Sequence, residues 1–135
     1  MLVHAKGIDP AAAARLGGKR VRLEPEPVRL GEALAGAALV VSHASTGTVS
    51  AALLAGVPQL GLPRHMEQAM VARRVEQGGI GLTVPLDEAK PDLAGRVRRL
   101  LHEPGWRARA AVLAARHAGT RPEQTAARVA DFIEA

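Results

Sequence analysis

Cysteine is absent from the 135 residues. Disulfides, thiolate metal sites and a cysteine nucleophile are thereby excluded, and the chain is compatible with a reducing cytoplasm. Aromatic residues are almost as scarce, with one tryptophan (Trp106), one phenylalanine (Phe132) and no tyrosine. The core must therefore be built from Ala, Val, Leu and Ile. The aromatic stacking platform that single-strand nucleic-acid binders lay beside a basic groove is also lacking. No run approaches the roughly 18 consecutive apolar residues of a membrane span. The first residues do not form a basic region followed by an apolar one, as a secretory leader would. Nothing in the sequence directs the chain out of the cytoplasm, which is the expected location.

What is present is globular in character: 47% hydrophobic and 23% charged residues. That composition and length suit one domain of ordinary size over residues 1–135, with a real core. The formal charge is +5, and 15 of the 18 basic residues are arginine. Many of these arginines fall on the polar faces of late helical segments. In residues 93–101, Leu93, Val97, Leu100 and Leu101 form an apolar stripe while Arg96, Arg98 and Arg99 point away. These arginines read as a solvated face, and no nucleic-acid partner is expected.

Short apolar runs alternate with helical segments along the chain. Residues 2–5 read as a strand. Asp9-Pro10 reads as an N-cap with proline in the first turn of a short Ala-rich helix, which Gly17-Gly18 ends. Residues 21–23 form a further strand, and Glu24-Pro25-Glu26-Pro27 is an extended loop. Residues 31–36 are a short helix. Residues 38–42 (Ala-Leu-Val-Val-Ser) are apolar without alternation, as expected of a strand buried on both faces of a parallel sheet. A helix follows over 47–55, a strand over 59–62, a helix over 67–77 and a strand over 81–84. From about Asp87 the chain reads as helical, broken at Pro104-Gly105 and again near residues 119–122. This order predicts an α/β fold, a Rossmann-like parallel sheet of about four strands with helices on both faces. Residues 38–42 are expected at its centre, with the last three helices packed around it. Ligands in such sheets bind beyond the carboxyl ends of the strands.

The segment that carries chemistry is the run from Val40 to Val49. A strand enters a loop of small and hydroxyl residues, His43-Ala44-Ser45-Thr46, and the loop opens a helix at Gly47. Free N–H groups and the positive end of the helix dipole make such a junction an anion site. Ser45, Thr46 and Thr48 add hydroxyls, and Gly47 lets a phosphate approach the backbone. The same residues also describe a helix merely capped by Ser45 and Thr46, and the pattern by itself does not choose between the two.

Four elements in order carry a resemblance. They are His43-Ala44-Ser45-Thr46-Gly47-Thr48, then Gly56-Val57-Pro58, then Pro63 with Glu67-Gln68, and finally Gly79-Ile80-Gly81. Over about residues 25–82 the chain resembles the C-terminal domain of GT-B-fold glycosyltransferases, the superfamily of UDP-glycosyltransferases and macrolide and antibiotic glycosyltransferases. That family has a His-Gly-Gly-x-Gly-Thr phosphate loop, a Gly-Val-Pro turn, an acidic residue followed by Gln beyond a proline, and a Gly-x-Gly.

The resemblance implies a donor-binding domain for a UDP- or dTDP-linked sugar, with the nucleotide sugar as substrate and no further cofactor or metal. It implies that His43, Ser45, Thr46, Gly47 and Thr48 hold the donor diphosphate, and that Glu67 and Gln68 hydrogen-bond sugar hydroxyls. A carboxylate accepts from two hydroxyls, while an amide both donates and accepts. Where plant members carry Trp-x-Pro-Gln, this chain has Pro25-Glu26-Pro27-Val28. The stacking aromatic is missing and Val28 replaces the glutamine, which leaves a backbone approach to the base from the Glu26–Val28 stretch. Ala51 stands where plant members bind ribose with Glu, and Ala44-Ser45 replaces the doubled glycine.

The same resemblance places the acceptor pocket and the general base in an N-terminal domain for which this sequence offers no candidate. A missing domain or a partner chain is therefore expected, and no residue is assigned as catalytic. A non-catalytic subunit or truncated binding module is the alternative. His4, His102 and His117 share no metal-ligand spacing. His65 reads as a loop residue, Trp106 as a packing anchor, and Met66 and Met70 as residues packing under their helix.

Overall fold

A computed structural model describes residues 1–4, 7–18, 20–119 and 131. Its contacts group the chain into two compact units, Met1–Ala37 and Ala38–Ala135.

In the first unit, β1 (Leu2–His4) and β2 (Arg22–Glu24) pair in parallel, Leu2 opposite Arg22 and His4 opposite Glu24. The chain between them forms α1 (Pro10–Leu16). Asp9 caps this helix, its Oδ2 accepting from the Ala12 N–H at 2.9 Å. Pro10 occupies the first turn, where a missing N–H costs nothing. The short helix α2 (Leu30–Leu34) follows and buries Leu34.

The second unit holds β3 (Val40–Ser42), α3 (Thr46–Leu54), β4 (Gln59–Gly61), α4 (Met66–Gln77), β5 (Gly81–Thr83), α5 (Leu93–His102) and α6 (Pro104–Arg116). The strands form a parallel sheet in the order β3-β4-β5, with Ser42, Gly61 and Thr83 in register at their carboxyl ends. Side chains alternate across this sheet. Leu60 and Leu82 join Leu100 of α5 and Trp106 of α6 in one apolar cluster. On the other face glycine lets α4 lie close. A Cβ on Gly61 would stand 2.8 Å from the Ala72 methyl, and one on Gly81 2.8 Å from the Val75 side chain. Ala72 and Val75 pack there with Val49 of α3 and Ala110 of α6. Helices thus cover both faces, and the expected α/β architecture with a parallel sheet is present.

Several details differ from the expectations. The centre of the three-stranded sheet is β4, all three of whose residues are buried. The segment expected there, β3, lies at the side of that sheet with Val41 50% exposed. Apolar composition reports burial tendency, whereas the order of strands is set by pairing between distant segments. The segment after Asp87 is not yet helical, because α5 begins only at Leu93, behind Pro91 and an Asp92 cap whose Oδ1 accepts from the Gly95 N–H at 2.8 Å. Of the α5 stripe only Leu100 is buried, while Leu93 and Leu101 are exposed. Arg96 is only partly solvated: it forms a two-pronged pair with Glu88, at 3.1 and 2.6 Å, that ties α5 to the loop leaving β5. Met66 and Met70 are exposed rather than packed beneath α4. The helix expected beyond residue 122 lies outside the described residues. Among the described residues no helix is long and apolar enough to cross a membrane.

Candidate functional site at the carboxyl edge of the sheet

Parallel pairing decides where the chemistry-bearing loops emerge. Ser42 and Gly61 are register partners, and the Leu62 N–H donates to the Ser42 carbonyl at 2.7 Å. The loop after β3 and the loop after β4 therefore leave the sheet side by side, and each runs into a helix N-terminus. This is the crevice at which open parallel sheets bind ligands. Its position follows from the ends of the two strands and does not require β3 to be central.

The first loop is built around an unusual backbone. Ala44 is the only non-glycine residue with a left-handed φ, +60°, among the described residues. That conformation costs a residue bearing a Cβ about 1 kcal/mol. Two features hold it: the Ser42 hydroxyl accepts from the Ala44 N–H at 3.1 Å, and the Ala44 side chain is 2% exposed, seated in the cluster between the sheet and the helices. Alanine here adopts the kind of backbone for which glycine is usually chosen.

Beyond Ala44 the chain turns into α3 with Ser45 as N-cap. The first helical bond runs from the Val49 N–H to the Ser45 carbonyl at 2.9 Å. The Ser45 side chain caps none of the first-turn N–H groups. Its hydroxyl donates instead to Thr48 Oγ1 at 3.0 Å. The N–H groups of Thr46, Gly47 and Thr48 are thus left for an outside acceptor. His43, Ser45, Thr46 and Gly47 are exposed and Thr48 is half-buried. Apart from its chain neighbours and the helix's own backbone, no atom lies within 4 Å of where a Gly47 Cβ would stand, so that side of the residue is open.

The second loop leads to α4, whose first turn carries Glu67 and Gln68. Glu67 is exposed. Gln68 Oε1 accepts from the Arg64 N–H at 2.9 Å, which fixes the amide and leaves its NH2 as the group free to donate. His65 is the N-cap residue of α4 and makes no side-chain cap bond. His43, Ser45, Thr46, Gly47, Thr48, Glu67 and Gln68 thus share one edge of one sheet in the second unit. Val28 stands in the first unit, half-buried between β2 and α2.

One residue at the amino end of β4 escaped the sequence reading. Gln59 is the only buried polar side chain among the described residues, 3% exposed, and its Nε2 donates to the Val49 carbonyl at 3.3 Å. A lone glutamine between Gly56-Val57-Pro58 and Leu60 was the available signal, and periodicity does not register it. Among the described residues no three His, Asp or Glu side chains gather to hold a metal.

Comparison with known proteins places the chain in a family. Residues 14–134 match the model of the "Erythromycin biosynthesis protein CIII-like, C-terminal domain" family. The chain is 33% identical to aklavinone 7-beta-L-rhodosaminyltransferase of Streptomyces galilaeus over 144 aligned residues, covering 99% of this chain and 32% of that protein. It is 37% identical to 3-alpha-mycarosylerythronolide B desosaminyl transferase of Saccharopolyspora erythraea, covering 55% of this chain and 18% of the relative. The chain thus spans a third or less of the length of these relatives. Among solved structures, the glycosyltransferase SnogD from Streptomyces nogalater superposes with a TM-score of 0.74 at 27% identity, over 97% of this chain and 34% of that one. The glycosyltransferase VinC, solved in complex with dTDP, gives 0.70 at 30% identity over 83% of this chain and 29% of its own. With the family model spanning nearly all of it and antibiotic glycosyltransferases as its neighbours, the chain belongs to the erythromycin biosynthesis protein CIII-like C-terminal domain family of the GT-B glycosyltransferases.

Proposed function

We propose that the chain binds the nucleotide-sugar donor of a glycosyltransferase, with the donor diphosphate seated on the first turn of α3. The observation that carries this reading is the pair of neighbouring loops at the carboxyl edge. One opens a helix with three unspent N–H groups at Thr46, Gly47 and Thr48, and the other opens a helix with Glu67 and Gln68 in its first turn. The first arrangement suits the anionic diphosphate, through N–H donors and the helix dipole. The second suits sugar hydroxyls: Glu67 accepts, and Gln68, its oxygen already engaged by Arg64, donates. His43 and Thr48 border the diphosphate position.

In the transfer itself, negative charge grows on the diphosphate as the sugar–oxygen bond breaks. Preorganised N–H groups stabilise that charge without reorganising. The acceptor hydroxyl must lose its proton to a base, and none of the residues at this edge is assigned that task. A further domain or partner chain would supply the base and the acceptor pocket. The donor is UDP- or dTDP-linked, and the dTDP-bound relative makes the thymidine nucleotide the first to test. No other cofactor is required.

Titration calorimetry of the chain with dTDP, UDP and a short DNA duplex at two salt concentrations tests the reading. The expected result is weak saturable binding of a nucleoside diphosphate and none of the duplex beyond a salt-sensitive background. A chain that binds neither nucleotide at millimolar concentration would refute the proposal. Incubated alone with dTDP- and UDP-sugars and an acceptor panel, the chain is expected to form no glycoside.

A further inference from the structure

We infer that Gln59 is a positioning residue for the diphosphate loop, acting through the Val49 carbonyl on the first turn of α3. The inference rests on the donor reading above. Gln59 opens the central strand β4, where all three residues are buried, and it is the one polar side chain in that environment among the described residues. Its Nε2 bonds to Val49, which directly follows the three residues whose N–H groups face outward. Its Oε1 accepts no hydrogen bond among the described residues.

A buried amide with an unpaired oxygen is a poor way to stabilise a core, since leaving such an acceptor unmet is unfavourable. An apolar side chain of similar shape would fill the space without that penalty. The glutamine does what an apolar residue cannot, tying the α3 backbone to the sheet at the turn that faces the ligand. The amide orientation follows from chemistry, because only the NH2 end suits a carbonyl partner. Gln59 shares a crevice with Ser42 and Ala44, which hold the other side of the same loop. Loop and helix start are thus fixed from below at two points, so that the outward N–H groups are in place before a ligand arrives. Preorganisation of this kind raises affinity by lowering the ordering needed on binding.

The test uses Gln59→Met and Gln59→Leu in the full chain, with three readouts: thermal midpoint, affinity for dTDP and UDP, and amide hydrogen exchange at residues 46–49. The expected result is a thermal midpoint unchanged or raised, exchange in that segment accelerated, and nucleotide affinity lowered about fivefold, the equivalent of one ordinary hydrogen bond. A purely structural role would move the midpoint and leave affinity and local exchange alone. Unchanged exchange and affinity in both variants would overturn the inference, as would loss of the fold in both. Should the unaltered chain bind neither nucleotide, the donor reading fails. Exchange at residues 46–49 then decides the positioning role by itself, faster in the variants if it holds and unaltered if it does not.

Discussion

The two ends of the three-stranded sheet use their polar groups in opposite ways. At the carboxyl end, three consecutive N–H groups at the start of α3 and the side chains of His43 and Glu67 face solvent without a protein partner assigned to them. At the amino end several partners are found within the fold, although Gln59 Oε1 has none among the described residues. Arg109 donates to the Gly79 carbonyl at 2.6 Å, just before β5, and stands over the Trp106 ring at 5.0 Å. Trp106 Nε1 donates to Glu103 at 2.9 Å, and Arg99 reaches the same carboxylate at 3.2 Å. Both ends begin helices, and both are rich in polar residues. The first turn of α6 is likewise without a side-chain cap, so the difference lies in the side chains: His43 and Glu67 at the carboxyl end stay exposed, while those of Arg99, Trp106 and Arg109 at the amino end pair within the fold. Such pairing also accounts for part of the basic composition: Arg96, Arg99 and Arg109 serve pairs within the unit.

The sharpest way to break this comparison is at Trp106. It is 9% exposed and anchors the cluster with Leu60, Leu82 and Leu100. Trp106→Ala is expected to lose about 3–5 kcal/mol of stability, measured by denaturant unfolding, while the folded fraction keeps its nucleotide affinity. A specific loss of affinity at unchanged stability would mean that the amino end also serves the ligand.

Thr48 provides the converse. Thr48→Val removes one hydroxyl from the exposed helix start, together with its bond from Ser45. Nucleotide binding is expected to weaken by about 1.5–3 kcal/mol, the scale of one charge-assisted hydrogen bond. The thermal midpoint should hardly move. Unaltered dTDP and UDP affinity in this variant would reduce the loop to a helix start with no ligand.

A smaller effect is expected at Ala44. Replacing it by glycine relieves about 1 kcal/mol of left-handed strain. It also removes a buried methyl worth about 0.8 kcal/mol and adds about 0.4–1 kcal/mol of unfolded-state freedom. The balance is a slight destabilisation, readable by denaturant unfolding. A clear gain in stability would show that the seated methyl contributes little to holding the loop.

The mildest test is electrostatic. Hydrogen bonds from Trp106 and then Arg99 hold the Glu103 carboxyl below the usual carboxylate range. A lowered value in the folded state means the charged form is favoured by folding. Its contribution is therefore complete above the ordinary carboxylate value of about 4.3 and lost as pH falls through the lowered one. Glu103→Gln should flatten the stability profile slightly below about pH 4 and leave it parallel to the original above. Identical acid profiles would show that these bonds are too solvent-exposed to matter.

Much of the architecture was legible because it depends on local chemistry. Asp9-Pro10 announced α1 by cap and fixed φ, Gly56-Val57-Pro58 announced the end of α3, and Pro104 announced the break between α5 and α6. The loop at 43–48 was visible as small and hydroxyl residues between a strand and a helix. Less was legible where outcomes depend on distant partners. Val41 carries the same apolar signature as Leu60, yet one is half exposed and the other buried. Leu93 fits the stripe of α5 and still lies at the surface, because the cluster it was expected to join closes on Leu100 and Val97. Arg96 reads as a surface charge until the loop carrying Glu88 folds back onto it.

By itself the sequence determined the alternation of strands and helices, the absence of thiol and aromatic chemistry, and the residues whose order and spacing resemble a glycosyltransferase donor domain. Those are properties of neighbours along the chain, governed by backbone preference and side-chain type. The tertiary structure alone decided that β4 takes the centre, that Ser42 and Gly61 end in register so that two loops emerge together, and that Gln59 reaches Val49 from beneath. Each of these depends on pairing between segments far apart in sequence, where burial and hydrogen bonding are settled jointly and no single segment carries the answer.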